Sequence, residues 1–209
     1  MRLYFIKTPR IIKKLFSRYT WSFFSDTKVV YLTFDDGPIP EVTEFVLKQL
    51  KTYNARATFF CIGDNVRKHP SVFQQINKEG HSIGNHTHNH LNGWKTTASE
   101  YLSNIEKAEH FIQGSTTKLF RPPYGKITRT QSSLLIRKGY KIIMWDVLSA
   151  DFDTSISKET CLNNVLRNTK KGSIIVFHDS IKAKEKLYFA LPVVLDELSK
   201  QGYVFKAIP

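Results

Sequence analysis

The stretch Val29-Val30-Tyr31-Leu32-Thr33-Phe34-Asp35-Asp36-Gly37-Pro38 decides how the rest of the chain is read. Its first half is β-branched and aromatic, the composition of a strand buried on both faces, and Gly-Pro ends it sharply. Two neighbouring carboxylates thereby arrive at the C-terminal rim of a core strand. Successive side chains on a strand point to opposite faces, so Asp35 and Asp36 serve one site only if the strand ends and twists there. The competing reading is an ordinary Asp-Asp turn, one carboxylate capping and the other solvated.

Downstream, apolar strands alternate with helical patterns. Helices are predicted over 41–53, 71–78, 98–112, 130–138, 158–168 and 190–200, and strands over 57–62, 82–85, 118–120, 141–147, 173–177 and 203–208. Repeated β-α units with short connections require crossovers, hence a parallel sheet. The expectation is an α/β fold: a distorted (β/α) barrel of about seven parallel strands, closed or nearly so, forming a single catalytic domain over 29–209. No glycine-rich phosphate fingerprint appears, which argues against a nucleotide site.

The 209 residues suffice for a sizeable core, and 41% hydrophobic content marks a globular chain. Lys and Arg outnumber Asp and Glu by 31 to 18, a net charge of +13 that favours polyanionic surroundings. The basic residues are dispersed and no nucleic-acid motif is present, so no nucleic-acid partner is expected; contact with a membrane surface or an anionic cell wall is. Cys61 and Cys161 lie in apolar patterns and read as small core residues.

Residues 1–28 form a basic amphipathic segment. Lys7, Arg10, Lys13, Lys14 and Arg18 interrupt every apolar run before it reaches the length of a signal core or a bilayer span. The expected location is accordingly cytoplasmic or peripheral to a membrane. Ile11, Ile12, Leu15, Phe16 and Tyr19 recur at helical spacing, which suits a helix packed on the main domain or one lying on a membrane surface.

In a β/α barrel, chemistry gathers where strands end. Asp35 and Asp36 follow the first strand there, and Asn85-His86-Thr87-His88-Asn89-His90 the third. Arg121-Pro122-Pro123-Tyr124-Gly125, then Asp146 and Asp151, then His178-Asp179 follow later strands. Asp36, His86 and His90 together suit one divalent ion, most readily zinc, with positions left open for water or substrate. If residues 85–90 stay extended, His86, His88 and His90 share a face instead. Asp35 is then the natural base and His178 the natural acid. Arg121 can orient Asp35 and Asp151 can orient His178; alternatively Arg121 and Asp151 simply pair with each other.

These segments, in this order, closely resemble the polysaccharide deacetylase family, also called the NodB-homology domain or carbohydrate esterase family four. Residues 33–38, 86–90 and 121–125 carry the first three motifs; Ser149-Ala150-Asp151-Phe152 and Ile175-Val176-Phe177-His178-Asp179 resemble the last two. The resemblance implies metal-dependent hydrolysis of N-acetyl groups on a carbohydrate polymer or oligomer, chitooligosaccharide or peptidoglycan-like. It implies Asp35 as base, His178 as acid, and Asp36, His86 and His90 as ligands, with His88 merely intervening. It further implies Arg121 and Asp151 as tethers and the Tyr124 backbone N–H as an oxyanion donor. The family's fourth motif usually begins with an acidic residue and ends with tryptophan. Leu148 and Phe152 stand there, so Phe152 and Val176 are expected to line a reshaped acetate pocket. Deacetylation of O-acetyl or non-sugar amide groups, carbohydrate binding without turnover, and binding of a basic protein to an anionic polymer are the competing functions.

Overall fold

A computed structural model describes residues 4–112 and 118–209. Residues 1–3 of the basic N-terminal segment lie outside the described residues. The chain runs α1 (Arg10–Leu15), β1 (Val29–Asp35), α2 (Val42–Thr52), β2 (Thr58–Cys61), α3 (Gly63–Lys68), α4 (Pro70–Lys78) and β3 (Ser82–Asn85). It continues α5 (Ala98–Phe111), β4 (Leu119–Phe120), α6 (Arg129–Arg137), β5 (Lys141–Ile142), β6 (Val147–Leu148), α7 (Lys158–Leu166), β7 (Ile174–His178), α8 (Lys184–Lys200) and β8 (Val204–Phe205).

Six residues of β1 are buried and only Tyr31 is partly exposed, the signature of a strand covered on both faces. The parallel sheet has the order β5-β4-β3-β2-β1-β7-β6, and β8 pairs with the entry end of β1 through Val29↔Val204 and Val30↔Phe205. Helices start where side chains satisfy their free N–H groups: Thr97 caps α5, Ser157 caps α7, and Thr128 with Gln131 forms a reciprocal box on α6. The apolar faces of α2, α7 and α8 meet the sheet in one large cluster that includes Phe34, Val46, Phe59, Val165, Phe177 and Leu191.

The strand expected over 141–147 divides in two. β5 pairs with β4 at one edge of the sheet, whereas β6 pairs with β7 at the other. Between them Ile143 N–H still donates to Phe120 and Asp146 N–H already donates to Ile174, so the chain changes ladder partners within one apolar run. The sheet is a curled half-barrel rather than a closed ring, and its seam lies where this run crosses. The N-terminal segment occupies that seam. Thr8 N–H donates to Asp146 O at 3.0 Å, Leu148 N–H to Ile6 O at 2.9 Å and Thr20 N–H to Ile142 O at 2.8 Å. The buried Asp146 carboxylate holds Lys7 at 2.5 Å, Ser173 Oγ at 2.5 Å, and Lys13. Among the described residues no helix is long and apolar enough to cross a membrane.

Candidate active site

At the rim of β1 the backbone does what two adjacent carboxylates need in order to share a site. Asp35 is the last strand residue, paired in register with His178 of β7, and Asp36 takes φ 84°. That left-handed turn is uncommon for a residue with a side chain. It is held by Asp36 N–H to Phe60 O at 3.3 Å and by the Asn65 amide, which donates to Asp36 O at 2.7 Å. Behind it, Asp179 accepts Gly37 N–H at 3.0 Å and the Thr43 hydroxyl at 2.6 Å. A Cβ on Gly37 would fall 1.9 Å from the Asp179 carboxylate, so the loop seats only with glycine there.

Thr87 and His90 also take positive φ, 64° and 55°, so the histidine segment coils instead of extending. The coil brings His86 and His90 together and turns His88 away. The His88 ring is buried and stacks on Phe111 with centroids 5.4 Å apart, which rules out the alternating His86, His88 and His90 set. Asp36 Oδ1 lies 3.7 Å from His86 Nε2 and 3.3 Å from His90 Nε2, and one ligand atom from each residue lies within 4.8 Å of the others. Asp36 Oδ1 is buried and accepts no hydrogen bond among the described residues, a costly state for a carboxylate oxygen unless a cation faces it. Both imidazoles are oriented through their far nitrogens: His86 Nδ1 contacts Arg121 O at 2.7 Å and His90 Nδ1 the Tyr124 hydroxyl at 3.0 Å. Burial, aided by the neighbouring His90, lowers the His86 pKa to about 3, leaving it neutral as a ligand must be. Two neutral imidazoles and an orphaned carboxylate oxygen fit a divalent cation.

Arg121 is wholly buried and spends its guanidinium on the base side of the site. Nη1 donates to Asp35 Oδ1 and to Thr33 Oγ1, each at 2.7 Å; Nε donates to Ile143 O at 3.2 Å and Nη2 to Met144 O at 3.0 Å. Across the site Asp151, fully buried, accepts His178 N–H at 2.7 Å and lies 2.7 Å from His178 Nδ1. Burial alone would lower the His178 pKa, but the charge and hydrogen bond of Asp151, with Asp36 and Asp35, overcome it and raise it to about 9. Arg121 and Asp151 therefore do not pair with each other; each carries its own partner.

A cavity of about 310 Å³ joins these groups. Asp35, Asp36, His86, His90, Tyr124 and His178 line it, and Leu148, Phe152 and Val176 form its apolar wall. Tyr4, Trp145 and Lys182 also line it, and none of the three was expected. Tyr4 arrives from the seam segment, its hydroxyl on the Asp153 carboxylate and its ring edge-on to Phe152 at 5.6 Å. No short-range pattern could have announced that contact. Asp146, expected among the chemistry-bearing residues, instead belongs to the seam, where Lys7 and Lys13 engage it.

The polysaccharide deacetylase family model matches residues 25–143. A peptidoglycan-N-acetylglucosamine deacetylase of Bacillus cereus is 36% identical over 192 residues, covering 90% of this chain and 90% of that protein. A chitooligosaccharide deacetylase of Azorhizobium caulinodans is 32% identical over 195 residues, covering 86% of this chain and 92% of that protein. The crystal structure of a peptidoglycan N-acetylglucosamine deacetylase superposes with a TM-score of 0.88 at 35% identity, covering 97% of this chain and 95% of that one. With strand-end loops converging on one cation-ready cluster and this degree of likeness over nearly its whole length, the chain belongs to the polysaccharide deacetylase family.

Proposed function

We propose that the protein, a metal-dependent hydrolase of this family, removes acetyl groups from N-acetylhexosamine units of a glycan through the residues gathered in the cavity. The observation that carries the reading is the pairing of a held carboxylate with a held imidazole on either side of the Asp36, His86 and His90 cluster. The donor set of two imidazoles and one carboxylate suits zinc. Such an ion, when bound, supplies the charge that acidifies a water molecule and polarises the acetamide carbonyl.

Asp35 takes the proton of the attacking water while Arg121 fixes its carboxylate. The new C–O bond forms at the acetamide carbon, and the Tyr124 backbone N–H helps to neutralise charge on the former carbonyl oxygen. His178, held protonated by Asp151, delivers its proton to the nitrogen as the C–N bond breaks. Acetate and a free amino sugar leave, and the methyl group sits against Phe152 and Val176 during the reaction. The segment 1–28 and the domain 29–209 act as one catalytic unit on this reading. Exposed Ile11 and Leu15, beside exposed Arg10, Lys14 and Arg18, support a peripheral contact with an anionic cell-surface polymer or lipid.

Acetate release from N-acetylglucosamine oligomers and from peptidoglycan fragments tests the reading directly. Activity is expected with divalent metal and absent after chelation. Asp35→Asn should retain metal and lose turnover; metal-independent activity, or near-normal turnover in Asp35→Asn, would contradict it.

A further inference from the structure

Asp179 follows His178 at the end of β7, is wholly buried and does not line the cavity. A carboxylate is costly to bury unless polar groups answer it. Here Gly37 N–H donates to Oδ1 at 3.0 Å and the Thr43 hydroxyl to Oδ2 at 2.6 Å. Thr43, itself buried in the first turn of α2, also accepts Ile39 N–H at 2.8 Å. Its single hydroxyl proton is thereby directed to Asp179. Directly and through Thr43, one carboxylate holds the backbone N–H groups on both sides of Pro38, which has none of its own.

These contacts bear on the residue just before them. Asp36 stands at φ 84°, a conformation that a residue with a side chain keeps only where its surroundings fix it. Phe60 O and the Asn65 amide hold Asp36 itself, whereas Asp179 holds the chain that leaves it, with Ile62 N–H on Gly37 O at 3.0 Å. Without that grip the turn would relax, and an incoming cation would have to restore it before Oδ1 could face the imidazoles. Gly37 is the counterpart of the grip. The three atoms nearest to a Cβ placed there, all within 2.7 Å, belong to the Asp179 carboxyl group, and the Gly37 backbone lies outside the left-handed region. The carboxylate, not the backbone, is what demands glycine.

Resting on the reading of Asp36, His86 and His90 as a metal site, we propose that Asp179 is a positioning residue for that site. With Thr43 it locks the turn that aims Asp36 Oδ1 at the two imidazoles, and so sets how tightly the ion is held. It acts through Asp36 and touches neither substrate nor the reacting atoms.

The test measures zinc affinity by competition with a chromophoric chelator, beside the unfolding midpoint of the same proteins without zinc. Asp179→Ala should weaken zinc binding by about 10–100-fold. Asp179→Asn should also weaken it, since an amide offers one acceptor oxygen where two donors arrive. Thr43→Val should weaken binding and Thr43→Ser should preserve it, which tests the same contact if the Asp179 variants do not fold. Gly37→Ala should weaken binding in the wild-type background but add little to Asp179→Ala, where room for the methyl group has opened. A lower zinc-free midpoint with unchanged zinc affinity would make Asp179 a purely structural residue and overturn the proposal. So would fully additive losses in the Gly37 and Asp179 pair. Absence of zinc binding by the wild type would instead remove the metal site on which the proposal rests.

Discussion

Arg121 Nη1 meets Asp35 Oδ1 at 2.7 Å with the guanidinium fully buried and the carboxylate nearly so. The other guanidinium contacts, to Thr33 and to the Ile143 and Met144 carbonyls, make this arginine part of the fold as well as part of the site. Arg121→Ala should cost about 3–5 kcal/mol, because it leaves a carboxylate buried beside empty space. Denaturant unfolding measures that loss.

Arg121→Lys separates the two duties. The charge survives, but a lysine cannot reproduce the planar fork that reaches Asp35 and two carbonyls together. The expected outcome is a folded protein whose kcat falls about 100-fold as the base swings out of line. Wild-type kcat in Arg121→Lys would show that charge alone positions Asp35.

The raised His178 pKa sets a pH signature. A general acid works only while protonated, so kcat should hold through neutral pH and decline as the pH rises through about 9. The linked stability has the same sense. The folded value lies above the ordinary histidine value near 6.5, so the stabilisation is complete below about 6.5 and is lost as the pH climbs through about 9. Asp151→Asn removes the chief support for the charged ring and leaves burial to lower its pKa. The falling limb of the rate profile should move toward neutrality, with kcat down about 100-fold or more. An unmoved limb would mean that another group is the acid.

Much of this site could be read from sequence because its chemistry is local. Asp35 and Asp36 are adjacent, His86 and His90 lie in one loop, and a strand-end position is legible from the apolar run before each. What escaped was decided by distant partners. The run over 141–147 is continuous in composition, yet its two ends pair with opposite edges of the sheet. α8 extends from Lys184 through Pro192, although a proline normally signals a first turn and the expected start was 190. Tyr4 reaches the cavity because residues 6–8 pair across the seam, a register that no spacing rule encodes.

The orphaned Asp36 Oδ1 predicts how the protein responds to metal. Titrating zinc into stripped protein should show one ion per chain and raise the thermal midpoint, since the ion binds only the folded arrangement. Asp36→Ala and His86→Ala should abolish both effects. Binding that survives loss of Asp36 would place the ion elsewhere.

Asp146 predicts a link between the N-terminal segment and substrate binding. Burial opposes ionisation of its carboxyl, but Lys13, Lys7 and Ser173 prevail and hold its pKa below the ordinary range. A depressed carboxylate pKa contributes stability above the unfolded value near 4 and loses it as the pH falls below that. Asp146→Asn keeps the shape and removes the charge that binds two lysines, each of which retains some exposure. The cost should be about 2 kcal/mol, between that of an exposed pair and that of a buried one. Because residues 6–8 lie beside Asp146 and Tyr4 stands against Phe152, loosening the segment should also raise KM more than it lowers kcat. Tyr4→Ala should reproduce the KM change with little loss of stability. If Asp146→Asn weakens the fold and leaves KM untouched, Tyr4 keeps its place in the cavity without the Asp146 contacts, and the seam serves stability without reaching the substrate.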